Sequence, residues 1–187
     1  SSFAAYAFAK IDFKGKNLVF LLFLSSMMVP TQVTIIPRFM LFKSIGLYNS
    51  LWAIILPTLF AATSIFMLRQ FYMGLPDDLM EAAKIDGANH FQIWGQIMMP
   101  LTMPAMVTAA VLAFINSWNE YTIALTLISS DIFKPITVGI NVFYGFNFIK
   151  WQYLFATSIF ATIPVIILFL LIEKHLVSGL TAGGVKG

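Results

Sequence analysis

The run from Trp151 to Ile172, WQYLFATSIFATIPVIILFLLI, holds no charged side chain between Lys150 and Glu173. As an α-helix its 22 residues would rise about 33 Å, close to the hydrocarbon thickness of a bilayer. A helix is the form this solvent permits, because lipid offers no partner to an unpaired backbone N–H or C=O. Two more stretches read the same way: 21 uncharged residues between Lys16 and Arg38, and 25 between Lys43 and Arg69. A fourth begins after Pro100 and continues through Glu120 and the apolar Tyr121 to Ile128. The expected spans are therefore 17–37, 48–70, 101–127 and 151–173. Ser1 to Ala9, apolar and running straight into Lys10, reads as the end of a preceding helix, so the chain is expected to start mid-protein.

Composition agrees. Of 187 residues 59% are hydrophobic and 10% charged, against roughly 25% charge in a soluble domain. The mean hydropathy is +0.87. Nineteen Phe and four Trp suit lipid-facing surfaces and interfacial belts. With no cysteine there is no disulfide framework, thiolate chemistry or Cys-based metal site. His90 and His175 are isolated and read as interfacial or solvated. No G-x-x-x-x-G-K-[ST] run, serine-nucleophile motif or His/Asp/Glu cluster occurs, so no catalytic, cofactor-binding or metal residue is expected.

Orientation follows from the cations. Placing the loop of Lys10, Lys14 and Lys16 in the cytoplasm puts Arg69, Lys84, Lys174 and Lys186 on the same side. Arg38, Lys43, Lys134 and Lys150 then face outward, seven against four in the sense of the positive-inside rule. The C-terminus and the loop 73–100 become cytoplasmic. Pro30, Pro57 and Pro164 fall within spans, where neighbouring helices tolerate kinks.

The loop from Gly74 to Pro100 reads as two short helices with a break. Pro76 suits a first helical position, and Asp77 and Asp78 put negative charge at the positive end of the helix dipole. Gly87 offers the left-handed conformation that ends a helix. Asn89 with Gln92 three residues on matches a capping box for the second helix. Pro100 marks the passage to the next span, with a kink. Helices of about ten residues are marginal alone, so this pair needs a surface to dock on. Its own membrane domain and another protein are both open as that surface.

Glu81-Ala82-Ala83, then Gly87, Ile97 and Pro100, resemble the EAA loop of ABC importer permeases. Met99 stands where that family carries Leu, a volume-conserving exchange. Asp86-Gly87-Ala88 resembles the variant in carbohydrate importers. Asn116-Ser117-Trp118-Asn119-Glu120-Tyr121 resembles a fifth-helix pattern of sugar permeases. Ser178 to Gly187 is similar to the tail of permeases like the smaller maltose-importer subunit. The resemblance covers essentially the whole chain in order.

That resemblance implies an all-α, polytopic transmembrane bundle of the type I ABC importer permease, with residues 1–187 as its C-terminal part and the upstream span or spans missing. It implies a prokaryotic cytoplasmic membrane and transport of sugars or oligosaccharides. The partners would be a second homologous permease subunit, a cytoplasmic ABC ATPase dimer that hydrolyses the ATP, an extracytoplasmic solute-binding protein and the lipid bilayer, with no nucleic acid. Glu81 would make polar contacts with the ATPase, Ala82 and Ala83 would allow close packing, and Gly87, between Asp86 and Ala88, would form the turn of a coupling helix.

Asn116, Trp118, Asn119, Glu120 and Tyr121 are candidates to line a sugar route, since sugars offer hydroxyls to amides and apolar faces to rings. They read equally as helix–helix glue and an interfacial belt. Glu120 lies about 30 Å of helix beyond Pro100 and is expected near the outer interface. The alternatives are a permease for another polar solute, such as a glycerol phosphodiester or polyamine, and a self-contained secondary transporter. The latter would need ionisable groups near the midplane.

Overall fold

A computed structural model describes the backbone of residues 1–145 and 148–184, with side chains in that range as far as Glu173. Among the described residues the chain is helical apart from one antiparallel bridge between Tyr144 and Ile149. Helices α1 (Ser2–Lys10) and α2 (Lys16–Ser25) come first, followed by α3 (Ile35–Ser44), α4 (Trp52–Thr58) and α5 (Ala62–Met73). Next are α6 (Asp78–Ile85) and α7 (His90–Ile93), the latter passing through a wide π-helical stretch at Trp94–Met98 into α8 (Met99–Leu101). The order ends with α9 (Met103–Trp118), α10 (Thr122–Leu127), α11 (Ile136–Gly139) and α12 (Trp151–Gly184). The resemblance over Ser178 to Gly187, and His175, fall outside the residues whose side chains are described.

Two helical stretches are long and apolar enough to cross a membrane, Trp52–Met73 and Trp151–Glu173. Up to four qualify if each of two bent pairs counts as one crossing, Lys16–Met28 with Thr31–Ser44 and His90–Leu101 with Met103–Trp118. The protein is an all-α, polytopic membrane protein. Where 17–37 was expected as one helix, the chain breaks at Val29 and Pro30, both extended. Proline disfavours the helical region for the residue before it and has no N–H to give. Where 101–127 was expected as one span, α9 stops at Trp118 and α10 restarts at Thr122.

The kink expected at Pro100 forms at Thr102 instead, where the axes of His90–Leu101 and Met103–Trp118 meet at 88°. The Thr102 hydroxyl donates to the Met98 carbonyl at 2.9 Å and lies 3.3 Å from that of Met99, a back-bonding habit that bends helices. Pro104, with no N–H, lies two residues further on.

The helices gather into two compact units. One is built on Ser1–Val29 and Phe60–Ala113, with Tyr6, Ile65, Leu68, Tyr72, Ile93 and Met98 almost wholly buried at its centre. The other is built on Pro30–Leu59 and Phe114–Glu173, around Phe42, Ala53, Ile123 and Leu127. In it Asn49 adopts φ 59°, a left-handed conformation that asparagine tolerates. Its side-chain oxygen accepts from Ser129 and Ser130 N–H at 3.0 and 2.8 Å, tying α4's approach to the end of α10.

Candidate functional site

The loop between α5 and α9 is a capped helix–turn–helix. Pro76 lies outside α6, two residues before Asp78, so the expected first-turn proline is displaced. Asp77 precedes the helix but makes no side-chain cap, its carboxylate being taken by Lys10 instead. At the other end Gly87 sits at φ 82°. Its N–H donates to Lys84 O at 3.0 Å and Ala88 N–H to Ala83 O at 2.9 Å, the paired bonds of a Schellman turn. The capping box then forms in full: Gln92 N–H donates to Asn89 Oδ1 at 3.0 Å, and Asn89 N–H to Gln92 Oε1 at 2.8 Å. Every orphan donor that these caps satisfy is one fewer reason for the turn to fray.

Facing is decided by which side of α6 meets the core. Met80 and Ala83 are buried, while Glu81, Ala82, Lys84, Ile85, Asp86 and Gly87 are exposed. Ala88 is half-buried and Pro100 exposed. Of the Glu-Ala-Ala run, two residues therefore face outward and Ala83 packs into its own chain. Ile85 is 87% exposed and Phe91 66%, both large apolar side chains open at the surface. A groove of about 510 Å³ opens between the end of α1 and α6, lined by Lys10, Asp12, Asp77, Glu81, Lys84 and His90.

The polar end of α9 is built differently. Trp118 Nε1–H donates to the Ala161 carbonyl of α12 at 2.8 Å, three residues before Pro164. Glu120 Oε1 accepts from Ile123 N–H at 2.7 Å and so caps α10, while its carbonyl accepts from the Thr137 hydroxyl at 2.5 Å. Tyr121 Oη accepts from the Asn141 amide at 3.0 Å. Asn116 and Asn119 are exposed. Three of the five candidates thus spend polar atoms on holding the chain together. No group of three His, Asp or Glu able to hold a metal occurs among the described residues.

The family described as "Binding-protein-dependent transport system inner membrane component" matches residues 1–181. The chain belongs to that family. Its members are permease subunits of ABC importers, and this permease is similar to carbohydrate-uptake relatives along its whole length. It is 38% identical to the arabinooligosaccharides transport system permease protein AraQ of Halalkalibacterium halodurans, covering 100% of this chain and 67% of that one. It is 40% identical to the AraQ of Bacillus subtilis, covering 100% and 66%. With the trehalose/maltose transport system permease protein MalG of Thermococcus litoralis the identity is 37%, covering 100% and 68%. The permease chain thus spans about two thirds of the length of these relatives. In fold it resembles a chain in the crystal structure of a bacterial ABC transporter involved in import of the acidic polysaccharide alginate, with a TM-score of 0.81 at 24% identity over 92% of this chain and 66% of that one.

Sequence reading of the permease missed α1 as a partner of the loop. Tyr6 Oη and His90 Nδ1 share a hydrogen bond at 3.0 Å, and Phe3 stacks on Phe91 with centroids 4.5 Å apart. Ser2 Oγ accepts from Trp94 Nε1–H at 3.1 Å and pairs with Tyr72 Oη at 2.7 Å. Lys10, read only as a topological charge, donates to the Leu75 carbonyl at 2.7 Å and to Asp77 Oδ1 at 2.5 Å. Opposite charge was the one signal available, and 67 residues of separation hide it.

Proposed function

We propose that this chain forms half of the translocation pathway of an ATP-driven importer for sugars or oligosaccharides, and that its helix–turn–helix is gripped by a cytoplasmic ATPase. The observation that carries this reading is the outward face of α6 and α7. Glu81, Ala82, Ile85 and Phe91 stand exposed on a turn locked by a Schellman motif and a capping box. Bare apolar side chains among charged neighbours mark a surface that another protein covers. Fixed caps make that surface a lever rather than a flexible tether. Glu81 makes the polar contact, Ala82 allows close approach, and Gly87 between Asp86 and Ala88 holds the turn. Pro100 lies at the base of the second arm.

In this reading the loop and the C-terminus are cytoplasmic, in keeping with the seven-to-four bias of Lys and Arg. A second homologous permease completes the pathway, and an extracytoplasmic binding protein delivers the solute. The arabinooligosaccharide and trehalose/maltose systems of the relatives support a sugar or oligosaccharide cargo. Asn116, Asn119 and Tyr121 are the exposed pathway candidates, whereas Trp118 and Glu120 are half-buried.

The test is reconstitution of the full-length permease with an ABC ATPase and a solute-binding protein from the same organism, assayed across a sugar panel. One sugar with its binding protein should stimulate hydrolysis, and Glu81→Ala should lower that stimulation. A permease that never associates with an ATPase would sink the proposal.

A further inference from the structure

We propose that Lys10 is a positioning residue of the transport cycle: it latches α1 to the root of the coupling loop, so that a displacement of the loop carries α1 with it. The inference rests on the reading of that loop as the segment an ATPase moves.

The weak point of any such lever is its root. Between α5 and α6 the chain runs through Gly74, Leu75, Pro76 and Asp77 outside both helices. A push on α6 would be lost there as rotation of the link unless something braces it. Lys10 meets this link twice, donating to the Leu75 carbonyl at 2.7 Å and to the Asp77 carboxylate at 2.5 Å. Its side chain is 4% exposed. An ammonium so enclosed is retained where its acceptors are in place, because burying it unpaired is costly.

The clamp is also well placed on its own helix. Lys10 is the last residue of α1, where a cation favours the helix dipole. Of the three ion pairs among the described residues, only Lys10–Asp77 joins segments far apart in sequence; the others are three and four residues apart. The remaining α1–loop contacts, at Ser2, Phe3 and Tyr6, reach the second arm through Trp94, Phe91 and His90, and Tyr6 Oη also donates to Met80 Sδ of the first arm at 3.7 Å. Lys10 adds two hydrogen bonds from the end of α1 to the link itself. Helix α1 is therefore a strut along both arms of the lever, and Lys10 closes its root.

The experiment uses the full-length permease reconstituted with its ATPase and binding protein. Lys10→Met keeps the apolar stem and removes the donors, whereas Lys10→Arg keeps charge and donors. With Lys10→Met the ATPase should still co-purify and hydrolyse at the basal rate. Stimulation by the loaded binding protein should fall about tenfold, the scale of one charge-assisted hydrogen bond. Lys10→Arg should restore most of it, and adding Asp77→Asn to Lys10→Met should cost nothing further. Wild-type stimulation in Lys10→Met overturns the latch and leaves the coupling role of the loop standing.

Should Lys10→Met fail to assemble, a second measurement decides with Lys10 intact. These 187 residues hold no cysteine, so Asp12→Cys with Lys84→Cys, in a full-length permease with any other cysteine replaced by serine, places two unique thiols on the groove beside the latch. Bridging them with a short bis-maleimide should leave stimulated hydrolysis unchanged if α1 and the loop move as one. Loss of stimulation on bridging overturns the proposal. Failure of the unaltered permease to bind any ATPase overturns both this inference and the reading beneath it.

Discussion

Gly87 sits at φ 82° with nothing within 4 Å of where a Cβ would stand. Substitution there is opposed by backbone conformation and not by crowding. A non-glycine residue pays about 1–2 kcal/mol in the left-handed region, with asparagine least penalised and β-branched residues most. Solute-stimulated ATPase should therefore decline in the order Gly87→Asn, Gly87→Ala, Gly87→Val, with Val losing the most. Equal stimulation across the three would show that the turn carries no load.

Asp77 gives a second residue-level outcome. Its carboxyl is held below the usual carboxylate range by the hydrogen bond from Lys10 and by that residue's charge. The folded value lies below the unfolded one of about 3.9. The stabilisation is therefore complete above about pH 4 and is lost as pH falls through the folded value. Stimulated hydrolysis should show no step from the Asp77 carboxyl between about pH 5.5 and 8. A step in that window that Asp77→Asn removes would contradict the assignment. Of these two residues, Gly87 was legible in the sequence because a turn needs a left-handed residue. Asp77 does stand at the start of α6 as read, but its pairing with Lys10 was hidden, because that cation comes from a distant helix.

At the scale of elements, the capping box at Asn89 and Gln92 formed as its spacing foretold. Caps are local chemistry and depend on four consecutive residues. Long uncharged runs were legible for the same reason, yet their breaks were not. The expected span 101–127 divides at Asn119–Tyr121, where the Glu120 carboxylate recaps the chain through Ile123 N–H. A carboxylate read as a pathway candidate thus serves the backbone.

Trp118 likewise donates to Ala161 in the turn that Pro164 weakens, which is how a neighbour supports a kinked helix in lipid. Trp118→Phe keeps the ring and removes the N–H. It should destabilise the full-length protein by about 1 kcal/mol, the usual scale of an interhelical hydrogen bond in membranes. Thermal unfolding in detergent measures this, and an unchanged midpoint would mean the bond contributes nothing.

For the whole molecule the question is which side of the membrane the loop occupies. The chain carries no native cysteine, and Ile85 is 87% exposed at the end of α6. Ile85→Cys, in a full-length permease with any other cysteine replaced by serine, should react with an impermeant maleimide in inside-out vesicles and stay protected in intact cells. Binding of the ATPase should slow the reaction. Labelling from outside would reverse the orientation drawn from Lys and Arg.

By itself the sequence determined the solvent, the helical class and the family, because each is written in local pattern. Uncharged length demands lipid, lipid demands satisfied backbone, and the EAA spacing sets a turn between two arms. Tertiary structure alone decided which faces those arms present: Ala83 inward, Ala82 and Ile85 outward, and Lys10 closed over Leu75 and Asp77. Burial and long-range pairing depend on which helices pack together, and residues 67 positions apart leave no periodic trace of meeting.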